Sequence, residues 1–189
     1  MSTKALEPLL APLRKPNVAE LLGEADLELG ADDDLIDSLG KDVPKDSLIP
    51  FGQHGSGSLL ALWRTDPRMP LGRCPVIWLD SEGDPVEAIA PDFAAFLTLL
   101  PYGLGQLYDL LRRAQKLRDG DNADGDDEAD ADAAFEVDDD DLREGLAMIS
   151  AELGAWRAAG FQPAADPLAV VEQAVALPFA AWWDALPEA

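Results

Sequence analysis

One cysteine and one histidine are all that 189 residues contain of either. The lone Cys74 excludes an internal disulfide and any cysteine-based zinc cage. We place it on a strand as a small buried hydrophobe. The lone His54 excludes two-histidine zinc sites and the His-Glu-x-x-His helix of metalloproteases. Long apolar runs are also missing: nothing approaches the roughly 18 residues needed to span a bilayer. The N-terminal Met-Ser-Thr-Lys-Ala-Leu-Glu-Pro carries no apolar signal segment, so the expected location is the cytoplasm.

Basic residues are scarce as well. Fourteen Lys and Arg stand against thirty-seven Asp and Glu, a net charge of −23. Such a surface repels nucleic acid and anionic membranes and draws basic partners. Thirteen of the carboxylates fall between Asp119 and Asp141, where no Lys or Arg offsets them; without them the chain is still near −10.

What is present in quantity is apolar, 48% of residues, enough for the core of one domain. Residues 1–47 read as short helices and loops. Pro8, Pro12 and Pro16 interrupt any long helix there. Val18 to Gly23 reads as a short helix capped by Asn17, and Asp32 to Asp34 precede a helical turn through Leu35, Ile36 and Leu39. Residues 48–118 form the expected core. Ile49 to Phe51 is a short strand, Gly52 to Gly57 a glycine-rich turn, and Ser58 to Arg64 the longest strand. That last strand is apolar on both faces, hence interior to a sheet. After the loop Thr65 to Arg73, Pro75 to Asp80 and Pro85 to Ala90 pair across a hairpin turn at Ser81 to Asp84.

Asp92 then caps a helix that sets Phe93, Phe96, Leu97 and Leu100 on one face. A second helix follows, striped by Leu104, Leu107, Tyr108, Leu111 and Ala114. Arg112, Arg113, Lys116 and Arg118 sit near its end, where cations suit the helix dipole. Residues 119–137 read as an acidic, flexible surface insert, too poor in apolar groups to offset its ordering entropy. Residues 138–189 are helical again. Leu142, Leu146, Ile149, Leu153 and Trp156 form one stripe ended by Gly160. Another helix starts at Pro167, carries Val170, Val171, Ala174 and Leu177, and is broken at Pro178 before Phe179, Trp182, Trp183 and Leu186. The predicted class is α+β: a small central antiparallel sheet flanked by helices, with a helical C-terminal extension.

Three patterns invite chemistry and do not complete it. His54 lies beside Ser56 in Gln-His-Gly-Ser-Gly, yet no Gly-x-Ser-x-Gly elbow is present, and residues two apart in a glycine turn have no preset catalytic geometry. We read His54 as an exposed turn histidine. Gly55 and Gly57 echo a dinucleotide loop but stand between strands, with no helix N-terminus to receive a phosphate. The aspartates from 119 to 132 lack the glycine spacing of an EF-hand. Trp63 and Trp78, on adjacent predicted strands, suit a ligand platform or core packing, and we favour the core. No catalytic, cofactor or metal residue is assigned. Asp66, Asp80, Glu82 and Asp84, in loops at strand ends, are the candidate partner-binding residues.

The motifs Pro-Phe-Gly-Gln-His-Gly-Ser-Gly-Ser-Leu-Leu-Ala-Leu-Trp, Pro-Val-Ile-Trp-Leu-Asp-Ser-Glu-Gly and Ile-Ala-Pro-Asp-Phe-Ala-Ala-Phe-Leu occur in that order between residues 50 and 97. They resemble the SUKH superfamily, the Smi–Knr domain group. The matching features are the turn Gly55 to Gly57, the acidic hairpin Ser81 to Asp84 and the closing helix Asp92 to Leu97. The resemblance covers about a quarter of the chain. It implies an α+β fold, no catalysis, no cofactor and a protein partner. Bacterial members are commonly cytoplasmic immunity proteins that bind a cognate toxin of a polymorphic toxin system, often a nuclease; fungal members are regulatory scaffolds. The expectation is therefore a non-enzymatic binding module that neutralises a basic toxin domain. A scaffold of the same fold without a toxin is the alternative, and a carboxylate-based hydrolase a remote one.

Overall fold

The computed structural model describes residues 6–30, 36, 39–81, 86–120, 149 and 153–189. Its centre is a five-stranded antiparallel sheet: β1 (Leu27–Leu29), β2 (Leu48–His54), β3 (Leu59–Trp63), β4 (Val76–Leu79) and β5 (Val86–Ala90), in chain order across the sheet. Each strand pairs with the next, so the sheet is one meander. The α+β class and the interior position of β3 are as expected; all five of its residues are buried.

Two strand boundaries differ from the sequence reading. The longest strand is β2, which extends through Gly52, Gln53 and His54 and leaves only Gly55 to Gly57 for the turn. Pro50 cannot donate to the ladder, and the register shifts beside it: Pro50 faces Ala61 while Gly52 faces Leu60. Phe51 is the extra residue of this bulge, which lets an interior strand carry a proline. Its ring meets Phe93 and Phe96 edge-on at 5.5 and 5.6 Å. The second difference is β1, which the sequence reading lacks altogether. A three-residue edge strand has too few positions to display alternation.

The sheet buries both faces, in two clusters. Leu60, Leu62, Trp78 and Ile89 face one core; Leu59, Ala61, Trp63, Ile77 and Ala88 face the other. Trp63 and Trp78 therefore lie on opposite faces, which excludes a shared platform and leaves each to core packing. Helices α1 (Glu7–Leu10), α2 (Ala19–Glu24), α3 (Phe93–Leu99) and α4 (Leu104–Asp119) pack on the first face. Pro8 sits in the first turn of α1, where its missing N–H costs nothing. The entry to α2 is Val18, fully buried and with no side-chain cap, rather than Asn17. Burial of Val18 fixes this helix start.

Asp92 caps α3 as expected, accepting from the Ala95 N–H at 2.9 Å. Phe93, Phe96 and Leu99 form the buried face of the helix and Leu97 is only partly buried; Leu100, as expected, is fully buried, within the 3-10 turn Leu100–Tyr102 that follows. On α4 Leu110 takes a core position and Tyr108 stays half-buried. Asp119 is the last residue of α4, so the start of the expected insert is helical; Gly120 follows at φ 76°, a left-handed stop.

Of the helix expected from Leu142, the described residues are Ile149, helical and packed on the first core, buried Leu153 in a turn, and α5 (Gly154–Ala158), which is followed by Gly160 at φ 97°. Helix α6 (Pro167–Val175) begins at the predicted proline, with Asp166 as its cap. It sends Val171 and Val175 to the first core and Ala174 to the second, so it lies beside β5 at the sheet edge. Pro178 separates it from α7 (Phe179–Asp184), whose Phe179 and Trp183 close the second core. The C-terminal strand-like residues return to the N-terminal half, where Lys41 pairs with Glu188. Cys74 is fully buried but lies in the bend after a 3-10 turn (Leu71–Arg73), not on a strand. Residues 82–85 of the expected hairpin turn, Asp32 to Leu35 ahead of helical and buried Ile36, and most of the expected acidic insert lie outside the described residues.

Candidate functional site

The antiparallel meander places its strand ends in two groups. Trp63 of β3 and Val76 of β4 end on one side, whereas His54 of β2, Leu59 of β3 and Leu79 of β4 end on the other. Asp66 follows Trp63, so it belongs to the first group; Asp80 follows Leu79 and belongs to the second. The expected acidic residues therefore do not form one cluster. Asp66 is 55% exposed and its Oδ1 accepts from the Arg68 N–H at 2.8 Å, which shapes its own turn. Asp80 is tied down: its Oδ2 accepts from Ser58 Oγ at 3.0 Å and from Trp78 Nε1 at 3.2 Å. Glu82 and Asp84 lie outside the described residues.

At the Asp80 end the structure assembles a polar chain of which the sequence reading named only the His54 and Ser56 pair. His54 Nε2 lies 3.0 Å from Asp26 Oδ2, and its Nδ1 lies 2.7 Å from Ser56 Oγ. Ser56 Oγ in turn lies 3.1 Å from Ser58 Oγ, which donates to Asp80. The His54 ring packs against Trp78 at 5.5 Å between centroids, and its side chain is only 18% exposed. His54 is thus a half-buried, doubly bonded group and not an exposed turn histidine.

The local backbone is shaped to allow this. Asp26 sits between α2 and β1 at φ 58°, a left-handed conformation that aspartate tolerates better than most residues. Gly55 leaves the space its carboxylate occupies: a Cβ there would stand 2.7 Å from Asp26 Oδ1. The signal in the sequence was His54 beside Ser56 in a glycine-flanked turn, which was set aside because spacing alone gives the pair no geometry. Asp26 had none, because its role depends on the unforeseen β1.

A second polar site lies under α4. Glu87 of β5 shares the face of Trp78, its neighbour in register, and is 1% exposed. Arg118 Nη1 reaches it at 2.5 Å, while Arg118 Nε holds Asp119 at 2.8 Å. Burial pushes the Glu87 carboxyl above its ordinary range, with Arg118 pulling the other way. The guanidinium is pushed up, first by Asp119 and then by Glu87. A cleft of about 450 Å³ opens above this pair, lined also by Arg112, Lys116 and Trp183. Its lining is balanced in charge, with Glu87, Asp119 and Asp184 opposite the cations.

Burial raises the Cys74 thiol, which suits an inert core position. Among the described residues no group of three or more His, Cys, Asp or Glu is placed to hold a metal ion. No helix of the described residues is long and apolar enough to cross a membrane. No protein-family model, curated protein or solved structure matches this chain, so the SUKH resemblance rests on the motifs quoted above alone.

Proposed function

We propose that this chain acts by binding a basic protein, as an immunity protein that occludes a cognate toxin domain in the cytoplasm. The observation that carries the reading is electrostatic: a net charge of −23 over a well-packed core. The strand-end loops present part of that charge to solvent, with Asp66 at 55% and Asp26 at 61% side-chain exposure. Carboxylates placed there meet a partner without disturbing the sheet. A field of one sign speeds encounter with a basic domain and disfavours acidic competitors. The motif resemblance between residues 50 and 97 adds the toxin to this picture; the charge alone supports only a basic partner.

Co-expression tests it. Any toxin-bearing reading frame that neighbours this chain's supplies the probe, expressed in a sensitive host with and without this chain. The lack of one overturns the toxin reading in favour of a scaffold. Rescue of growth, together with a stable complex on gel filtration, supports the immunity reading. Growth arrest in the presence of the folded chain overturns it.

A further inference from the structure

We propose that Ser56 is an activated serine nucleophile, with His54 as its base and Asp26 holding the imidazole in place. The tautomer follows from the contacts. The Ser56 backbone N–H, which can only donate, points at His54 Nδ1 at 3.3 Å, and the Asp26 carboxylate, an acceptor, faces Nε2; the Ser56 hydroxyl lies 2.7 Å from the same Nδ1. Nδ1 is therefore the acceptor nitrogen, and Nε2 carries the proton toward Asp26 Oδ2 at 3.0 Å. Ser58 spends its only hydroxyl proton on Asp80, so it cannot donate to Ser56. The Ser56 proton has two acceptors, Nδ1 at 2.7 Å and Ser58 Oγ at 3.1 Å, and the nearer is the base. Nucleophile, base and orienting carboxylate within hydrogen-bond reach are the parts that activate a serine.

The surroundings fit this assignment. Ser56 is exposed between Gly55 and Gly57, neither of which adds a side chain beside the hydroxyl. His54 is held by Trp78 behind it and Asp26 beside it. Asp26 keeps a left-handed backbone and Gly55 lacks the Cβ that would displace its carboxylate.

The chemical class is an activated carboxylic ester. Ser56 Oγ adds to the carbonyl carbon as its proton passes to His54 Nδ1. The tetrahedral adduct then expels the alcohol or phenol oxygen, which takes that proton from His54. The products are O-acyl-Ser56 and the free alcohol; nothing is oxidised or reduced. The proposal is independent of the binding reading, since acylation needs no partner.

The full chain treated with p-nitrophenyl acetate tests it. Release of nitrophenolate is followed by absorbance, and peptide mass spectrometry locates the acetyl group. Ser81 is an exposed serine in the same chain whose Oγ donates to the Ser56 carbonyl, and it serves as the internal reference. Acetylation of Ser56 is expected to outpace Ser81 by about 100-fold or more, the usual worth of a positioned base. His54→Gln removes that advantage, Asp26→Asn lowers it, and Asp26→Glu restores part of it, with folding of each variant checked by circular dichroism. Equal labelling of the two serines, or a Ser56 rate unchanged in a folded His54→Gln variant, overturns the proposal. Turnover beyond one equivalent that Ser56→Ala abolishes supports the nucleophile and contradicts a purely binding role. A burst retained in Ser56→Ala overturns the assignment by placing the adduct on another group.

Discussion

Removing Arg118 leaves a buried carboxylate without its cation, and Arg118→Met is the cleanest single perturbation of this fold. Glu87 is 1% exposed, whereas the Arg118 side chain is 36% exposed. Breaking a fully buried pair costs about 3–5 kcal/mol. The partial exposure of Arg118 screens the pair and places the expected loss lower, at about 2–4 kcal/mol. The Ala88 N–H, 3.3 Å from Glu87 Oε1, remains to hold the carboxylate. For a chain of this size that loss is a fall in Tm of roughly 4–16 °C. The pH dependence has a definite sign. Burial raises the Glu87 carboxyl above its ordinary value near 4.5 in the folded protein. The folded state then holds its proton more tightly than the unfolded chain does, so this group's stabilisation is fully present below pH 4.5 and is lost as pH rises through the raised value. Without Arg118 the raised value moves further up, and the loss on raising pH is larger. Urea unfolding at several pH values measures both effects. A second variant, Glu87→Gln with Arg118→Met, removes the charge and should recover much of the loss at neutral pH. An Arg118→Met protein within about 1 kcal/mol of the parent at neutral pH would refute the reasoning, since an unpaired buried charge should cost more than that.

Other perturbations bear on the packing and on the polar chain. Phe96→Ala empties a fully buried site that meets Phe51 and Phe93 at 5.6 and 5.8 Å, and is expected to cost about 3–5 kcal/mol in urea unfolding. Asp92→Ala removes the cap of α3 and is expected to cost about 1 kcal/mol by the same measurement. Gly55→Ala puts a methyl group against Asp26 Oδ1, the end of a side chain that can swing away, so stability should fall by less than about 1 kcal/mol. The same change should move the imidazole NMR signals, which belong to His54 alone because the chain has no other histidine.

Much of the fold was legible because its signals are local. Asp92, Phe93 and Phe96 announce a capped amphipathic helix, and Pro167 and Pro178 bracket another. The apolar run from Leu59 to Trp63 marks an interior strand. What escaped depends on tertiary pairing. Leu27 to Leu29 become a strand only because Gln53 and its neighbours are there to pair with them. Gly52 reads as a turn residue by propensity, yet the sheet uses it next to the Phe51 bulge. Glu87 looks like the exposed member of an alternating strand and is buried because α4 supplies Arg118 above it. The polar chain was hidden for the same reason: Asp26, His54 and Asp80 come from three separate segments, joined only by strand pairing and a left-handed turn.

The rate of association with a basic toxin domain taken from a neighbouring reading frame, measured by stopped flow from low to high salt, addresses the central claim most directly. A strongly acidic chain that steers a basic partner predicts an on-rate that falls steeply as salt rises. It also predicts slower association for Glu82→Lys and Asp84→Lys with unchanged thermal unfolding. A rate indifferent to both salt and charge reversal would contradict electrostatic recognition, and absence of any complex would contradict the proposed partner.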